Sequence, residues 1–425
     1  MSVFSGKRFA VLGLGRAGLP AVERLRAWGA ELFAWDDSEA ARAAVSDAVL
    51  AKPSEVAGRL DGLVLSPGIP HLLPNPHPEA AWAAAHGVPI ISDAELLYQA
   101  VRGEGGRPRF VGITGTNGKS TTTALLAHIL TVAGVPNAAG GNLGPAAIAL
   151  PPLPDEGVYV LEMSSYMLER IQTLRFDAAV MLNLSPDHLD RHADMAGYAT
   201  AKRAIFARQD ASCVAVVGVD DAPSRAMADD LALGPARLVR ISGQGGETGA
   251  KALPGAHNAQ NAAAAVAVAR ALGVSEAAIT QGIASFLGLA HRQQEVAVRN
   301  GVRFINDSKA TNADAASRAM GCYERFVWIA GGITKAGGID DLVPYFPRIE
   351  QAFLIGRDGP AFAATLQAHG VPAVYVDTLA RAVPAAFHAA KSGVVLFSPA
   401  AASFDQFPNF EARGEHFAAL AREVG

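Results

Sequence analysis

A short apolar run, Arg109–Ile113 (RFVGI), passes without a break into Thr114–Thr121 (TGTNGKST), and helical periodicity continues from there to about Ala133. Strand, glycine-rich turn, Lys-Ser and helix in that order demand a parallel α/β layer, with the turn at the carboxyl end of a buried strand. Backbone N–H groups and a helix N-terminus can then surround phosphate oxygens. Gly115, Thr116, Asn117, Gly118 and Thr121 would line such a turn, Lys119 would reach the outer phosphates, and Ser120 would give an oxygen to Mg2+. Ile113 stands where the general G-x-x-x-x-G-K-[ST] pattern places its first glycine, so this turn is a variant of that pattern.

The same alternation of strands and helices extends on both sides. Before the turn, Arg8–Leu12, Ala30–Trp35, Gly62–Leu65 and Val88–Ile91 read as strands, with Gly13–Gly18 a G-x-G-x-x-G turn and Pro20–Trp28 a helix. After it, strands are expected at Val158–Leu161, Ala178–Leu182 and Val214–Val217, and helices from Met195 to Arg208 and from Asn258 to Leu272. A third series comprises Val302–Ile305, Phe326–Ile329, Ala352–Ile355, Val374–Val376 and Val394–Phe397. The polar stretch Arg102–Pro108 is the best linker, and Pro151–Pro154 reads as a surface loop. At 425 residues the chain is expected to form several domains, each with its own core.

Composition removes other classes. Half the residues are hydrophobic and 18% are charged, as in a folded α/β protein rather than a disordered one. Apolar runs such as Ala262–Ala269 fall short of the roughly 18 residues that span a bilayer, and no signal-peptide pattern is seen, so no membrane association and a cytoplasmic location are expected. A net charge of −4 gives no support for nucleic-acid binding. Cys213 and Cys322 lack metal-ligand spacing and read as buried or idle thiols in a reducing compartment.

Leu161–Glu169 (LEMSSYMLE) places Glu162 at a strand end near the phosphate turn, where a carboxylate suits Mg2+. Asn183–His192 (NLSPDHLDRH) follows another apolar strand and presents Asp187, His188 and Asp190 at the same edge. Lys202 lies about one helix further on, and His257–Asn261 puts two side-chain amides, Asn258 and Asn261, on one helix face, with a plain N-cap role for Asn258 as the lesser alternative.

T-G-T-N-G-K-S-T, with the two strings that follow it, resembles the Mur ligases and their folylpolyglutamate synthase relatives. The resemblance implies ATP-dependent amide-bond formation in peptidoglycan precursor synthesis, in which a phosphorylated carboxylate is attacked by an amine. It further implies three α/β domains: a Rossmann-like acceptor domain over 1–106, a central P-loop NTPase-like mononucleotide-binding domain over 107–289, and a Rossmann-like domain over 290–425. Lys119, Glu162, His188 and Lys202 then carry the chemistry, and Ser120, Glu162, His188 and Lys202 the metal, with two Mg2+ ions and a carbamylated Lys202 expected. Asn258 and Asn261 would lie near the adenine.

In the last third, Ile305–Asn312 (INDSKATN), preceded by Leu289–Arg292, and Ser398–Phe410 (SPAAASFDQFPNF) resemble the branch of the family that uses D-glutamate. The resemblance gives Arg292 to the γ-phosphate, Asp307 to the ATP ribose, and Lys309, Thr311, Lys335, Ser403 and Phe410 to D-glutamate. In the first third, Gly13–Gly18 with Asp36 about twenty residues on is also the fingerprint of a nicotinamide-dinucleotide turn. The resemblance instead assigns Gly15, Arg16, Ala17, Asp36 and Ser66 to the uridine nucleotide of UDP-N-acetylmuramoyl-L-alanine, and Asn142 to its sugar or alanyl end. Met167 stands where the family often has Gln, and Ala401 where it often has Cys. A monomer is expected.

Overall fold

The computed structural model describes residues 2–45, 49–244, 246, 248–250, 252–253, 255–334 and 337–425. Three sheets are present. The first, all parallel, runs in the order Val49–Leu50, Glu31–Trp35, Arg8–Leu12, Gly62–Leu65, Ile90–Ile91. The second is also parallel: Arg237–Ile241, Val214–Gly218, Ala178–Met181, Arg109–Thr114, Val158–Glu162, Asn137–Gly141. The third runs Gln294–Arg299, Val302–Asn306, Gly393–Phe397, Phe326–Gly331, Ile349–Ile355, Ala373–Asp377, with only its first pair antiparallel.

Strands flanked on both sides by neighbours and covered on both faces by helices read as continuous apolar runs. VYVLE at Val158–Glu162 and AAVM at Ala178–Met181 are buried at every position, which is why both were legible as strands. Helix starts are marked locally by side-chain caps: Ser92 accepts from Glu95 N, Asp194 from Gly197 N, Asp221 from Ser224 N, and Asn409 from Ala412 N. The helix expected at Met195–Arg208 ends at Arg203 and continues as a 3-10 turn over Ala204–Phe206. The strand expected at Val88–Ile91 is only Ile90–Ile91.

The chain forms two compact units, residues 1–249 with 256–285, and residues 250–255 with 286–425. The first two sheets thus belong to one unit. One hydrophobic cluster runs through both, from Phe4, Val11 and Val64 to Phe110, Leu161 and Val217. Arg102 and Gly103 of the expected linker close the helix Asp93–Gly103. Buried polar contacts fasten the sheets more firmly than the linker does. Glu95 accepts from the backbone N–H groups of Gln172, Thr173 and Leu174 at 2.8, 2.8 and 3.0 Å, and Arg24 Nη2 donates to Leu150 O at 3.1 Å. The second unit has its own cores, around Trp328, Leu342 and Phe362 on one face of its sheet and Phe304, Val383 and Phe417 on the other.

Candidate active site

The phosphate turn leaves the middle of the second sheet. Register pairs Ile113 with Glu162 on one side and Thr114 with Met181 on the other, so turn, Glu162 and the Asn183 segment emerge at one carboxyl edge, where open parallel sheets bind ligands. Gly115 has φ 151° and Gly118 φ 84°, and the helix Lys119–Val132 starts from Gly118. Lys119 Nζ donates to the carbonyls of Gly115 (2.9 Å) and Thr116 (2.8 Å), curling over the turn it is expected to serve. Ser120 and Thr121 are buried in the first helical turn. Asn117 N donates to Asn183 Oδ1 at 2.9 Å, and Asn183 Nδ2 returns a bond to Asn117 O at 3.2 Å. Thr116 N donates to Asn183 O at 2.9 Å.

Glu162 is 2% exposed. Its Oε1 accepts from Asn142 Nδ2 at 2.8 Å, while Oε2 is buried without a hydrogen-bond partner among the described residues. An orphaned carboxylate oxygen is costly unless a cation or donor meets it. Lys202, also 2% exposed, donates to Gly115 O (2.9 Å) and Thr114 Oγ1 (3.3 Å). Burial first, and the charge of Lys119 second, pull its pKa well below the usual lysine range, towards the neutral amine. The structure therefore brings Lys119, Glu162 and Lys202 around one strand end.

His188 stands apart from that group. It adopts φ 53°, is exposed, and faces Asp187 (Nε2 to Oδ2, 3.4 Å) and the Tyr166 ring (5.2 Å between centroids). Asn258 and Asn261 share a face as the spacing required: Asn261 Nδ2 donates to Asn258 Oδ1 at 3.1 Å. The helix begins at Ala256, so Asn258 lies within its first turn and not at the cap. Asn261 Oδ1 packs onto Gly118, where an added Cβ would stand 2.0 Å from it.

A cavity of about 440 Å³ lies at the carboxyl edge of the first sheet. All six residues expected at the acceptor line it: Gly15, Arg16, Ala17, Asp36, Ser66 and Asn142. Met167, the departure from the family pattern, also lines it. Three of them besides Asn142 make structural side-chain contacts as well. Asp36 accepts from Leu14 N (2.7 Å) and Ser38 N (2.8 Å), and Ser66 Oγ donates to Gly13 O (2.8 Å). Arg16 donates to the carbonyls of Gly141, Asn142 and Gly144 at 3.1, 3.0 and 3.1 Å, tying the glycine turn to the second sheet.

In the second unit, Lys309 Nζ stands 5.5 Å from the centre of the Phe410 ring, and Ser308 Oγ donates to Phe410 O at 2.9 Å. Arg413, 1% exposed, donates to Ser308 O and Oγ. Ser403 is buried and Thr311 half-buried. Asp307 is not open to a sugar: it is 4% exposed, its oxygens accept from Ser398 Oγ (2.7 Å) and Gln293 N (3.2 Å), and burial pushes its pKa up to about 7. Arg292 is half-buried nearby and acts electrostatically on Asp307. Ala401 belongs to the hydrophobic core, so that departure concerns packing. Lys335 lies outside the described residues.

Residues missed in the sequence are the ones that hold this site in shape. Asn183 carried a usable signal, being a polar residue directly after a buried strand at the edge already singled out. Gln260, which donates to Asp220 (2.9 Å), and the buried acid Glu95 carried none, since such side chains ordinarily read as solvated.

Two family descriptions match, "Mur ligase middle domain" over residues 113–252 and "Mur ligase, glutamate ligase domain" over 291–401. A Paramagnetospirillum magneticum protein named UDP-N-acetylmuramoylalanine--D-glutamate ligase is 47% identical, covering 99% of this chain and 97% of that one. Its namesake from Novosphingobium aromaticivorans is 46% identical over 97% of this chain and 94% of that one. Among solved structures, the Thermotoga maritima UDP-N-acetylmuramate-alanine ligase superposes with TM-score 0.59 at 16% identity, covering 98% of this chain and 99% of that one. The Acinetobacter baumannii UDP-N-acetylmuramoylalanyl-D-glutamyl-2,6-diaminopimelate--D-alanyl-D-alanyl ligase gives 0.60 at 19%, covering 98% and 93%. With the fold alike across those structures and nearly half its residues identical to the relatives along almost their whole length, the chain belongs to the Mur ligase family.

Proposed function

We propose that the protein is an ATP-dependent ligase that adds D-glutamate to UDP-N-acetylmuramoyl-L-alanine, giving ADP and phosphate, in peptidoglycan precursor synthesis. One observation carries the reading: Asn142 lines the acceptor cavity and at the same time donates to Glu162 beside the phosphate turn. A carboxylate at the end of an acceptor in that cavity would reach the γ-phosphate of an ATP held by Gly115–Thr121. Attack on phosphorus yields an acyl-phosphate and ADP, and the amine of D-glutamate then displaces phosphate to form the amide.

In this reading Lys119 exchanges its two carbonyl partners for phosphate oxygens. Asn183 and Asn261 keep the turn in the shape that aims backbone N–H groups inward. Glu162, Ser120, His188 and a carbamate on Lys202 would hold two Mg2+ ions, which spread the negative charge as anion approaches anion. Glu162 and Lys202 fit that role, while His188 rests on the family resemblance: Glu162 Oε2 is a buried acceptor without a hydrogen-bond partner among the described residues, and the depressed Lys202 amine is the form that can add CO2, losing a proton to solvent. Among the described residues no three His, Cys, Asp or Glu side chains gather as a metal cluster, so the carbamate and phosphate oxygens would complete the coordination. Asn258 and Asn261 toward adenine, Arg292 toward ATP, and Lys309, Thr311, Lys335, Ser403 and Phe410 toward D-glutamate rest on the family resemblance. The pairing of Lys309 with Phe410 supports the last group. No helix among the described residues is long and apolar enough to cross a membrane, and a cytoplasmic monomer is part of the proposal.

The test is stoichiometry. UDP-N-acetylmuramoyl-L-alanine, ATP, Mg2+ and D-glutamate should give phosphate and a product heavier by one glutamyl residue in equal amounts; phosphate release without that product would overturn the reading.

A further inference from the structure

The segment after Glu162 ends on Arg170, one of the largest fully buried side chains in the molecule. Among the described residues its guanidinium has no carboxylate in hydrogen-bond reach, and the adjacent Glu169 turns to His192 Nδ1 at 3.1 Å. It is met instead by the first sheet. Nη1 donates to Leu65 O and Ser66 O, each at 3.0 Å, Nη2 to Ile69 O at 2.6 Å, and Nε to His71 Nδ1 at 3.3 Å. The Arg170 carbonyl in turn accepts from Ser92 N at 3.1 Å. Burial draws Arg170 to about 10 and His71 to about 4, so at neutral pH the arginine is charged and the imidazole can accept.

Those carbonyls flank Pro67 and Gly68, and Ser66–Ile69 lines the acceptor cavity. Met167, three residues before Arg170, lines it too. The other end of the helical turn Ser165–Leu168 is fixed as well, Ser165 Oγ lying 2.9 Å from His192 Nε2. A buried guanidinium is tolerated only where its donors are met, and its planar fork demands acceptors at set positions. Arg170 therefore joins the cavity wall contributed by the first sheet to the segment that carries Glu162.

We propose that Arg170 is a positioning residue for the acceptor: by fastening Ser66–His71 to the segment after Glu162, it sets the width of the acceptor cavity and its register against the phosphate turn. The proposal rests on the acceptor reading above and adds to it a residue that touches neither ATP nor the amino acid.

Arg170→Met removes the charge at similar length, and Arg170→Lys keeps the charge but loses the fork. KM would be measured for UDP-N-acetylmuramoyl-L-alanine, ATP and D-glutamate, together with kcat and Tm. The acceptor KM should rise about tenfold in Arg170→Met and less in Arg170→Lys, with kcat at saturating acceptor and the ATP KM within about twofold of the parent. An acceptor KM unchanged in Arg170→Met would overturn the proposal, as would all three KM values rising together with a fall in kcat. Should Arg170→Met fail to fold, Arg170→Lys decides alone, by a selective rise in acceptor KM or its absence. A parent protein that ignores this acceptor would instead sink the acceptor reading, and the proposal with it.

Discussion

Gly118 sits in the left-handed region, and its missing Cβ leaves the space that Asn261 Oδ1 occupies. Gly118→Ala must strain the backbone and push Asn261 off the turn, a loss of about 1–3 kcal/mol. Denaturant unfolding should show that loss together with a raised ATP KM, whereas parental values in both would contradict the packing. Asp307 makes a pH prediction. Its carboxyl is raised from 3.8 to about 7 by burial, so its contribution to stability is full below about pH 4 and is lost as pH rises through 7. Asp307→Asn should lose less stability than the parent over that window, by on the order of 2–4 kcal/mol, and identical slopes in urea titrations would refute the burial argument. Lys119 and Glu162 were legible because a lysine in a phosphate turn and a polar residue at a strand end announce themselves by neighbours in sequence, whereas Lys202, inside the helix Met195–Arg203, was reached through the family resemblance. Arg170 and Glu95 were not, since an isolated charged residue reads as solvated and its partners lie 77–79 residues away for Glu95 and 99–105 for Arg170.

At the scale of elements, buried parallel strands were read with bounds close to the structure, while four of the six edge strands, Val49–Leu50, Asn137–Gly141, Arg237–Ile241 and Gln294–Arg299, were missed. Asn137–Gly141 (NAAGG) has no β-branched residue, and its glycines serve a different end. A Cβ at Gly140 would meet Pro145 O at 2.7 Å, and one at Gly141 would meet Glu162 O at 2.5 Å. Close approach of the backbone is what carries Asn142 to Glu162, a reason visible only once the neighbouring strand is placed. Gln294–Arg299, an antiparallel edge with no fully buried position, was missed for the complementary reason: it is partly solvated throughout and its apolar run, Val296–Val298, is only three residues long. The helix Asp93–Gly103 offers a prediction at this scale. Glu95→Ala leaves three backbone N–H groups of Gln172–Leu174 without their acceptor and should cost about 2–4 kcal/mol in urea unfolding. A change under about 0.5 kcal/mol would mean that the helix does not hold the 172–174 turn.

For the whole molecule, three α/β layers were legible from the alternation of strands and helices, and the three sheets span 8–91, 109–241 and 294–397. Their grouping into two compact units was not, because what joins the first two sheets, a shared hydrophobic cluster and the reach of Arg16, Arg24, Glu95 and Arg170 from one to the other, links residues far apart in sequence. That grouping makes the cavity at the carboxyl edge of the first sheet, proposed above for the acceptor, and the phosphate turn parts of one body, with Asn142 lining the first and bonded to Glu162 beside the second. Under the proposed function, choice of the incoming amino acid would fall to the second unit, whose Lys309 and Phe410 stand together. Phosphate release from ATP, measured with UDP-N-acetylmuramoyl-L-alanine and Mg2+ in the presence of D-glutamate, L-glutamate or L-alanine in turn, tests both halves at once. Release that depends on D-glutamate and is at background with the other two is the predicted result; release with L-alanine or L-glutamate but none with D-glutamate would contradict the account.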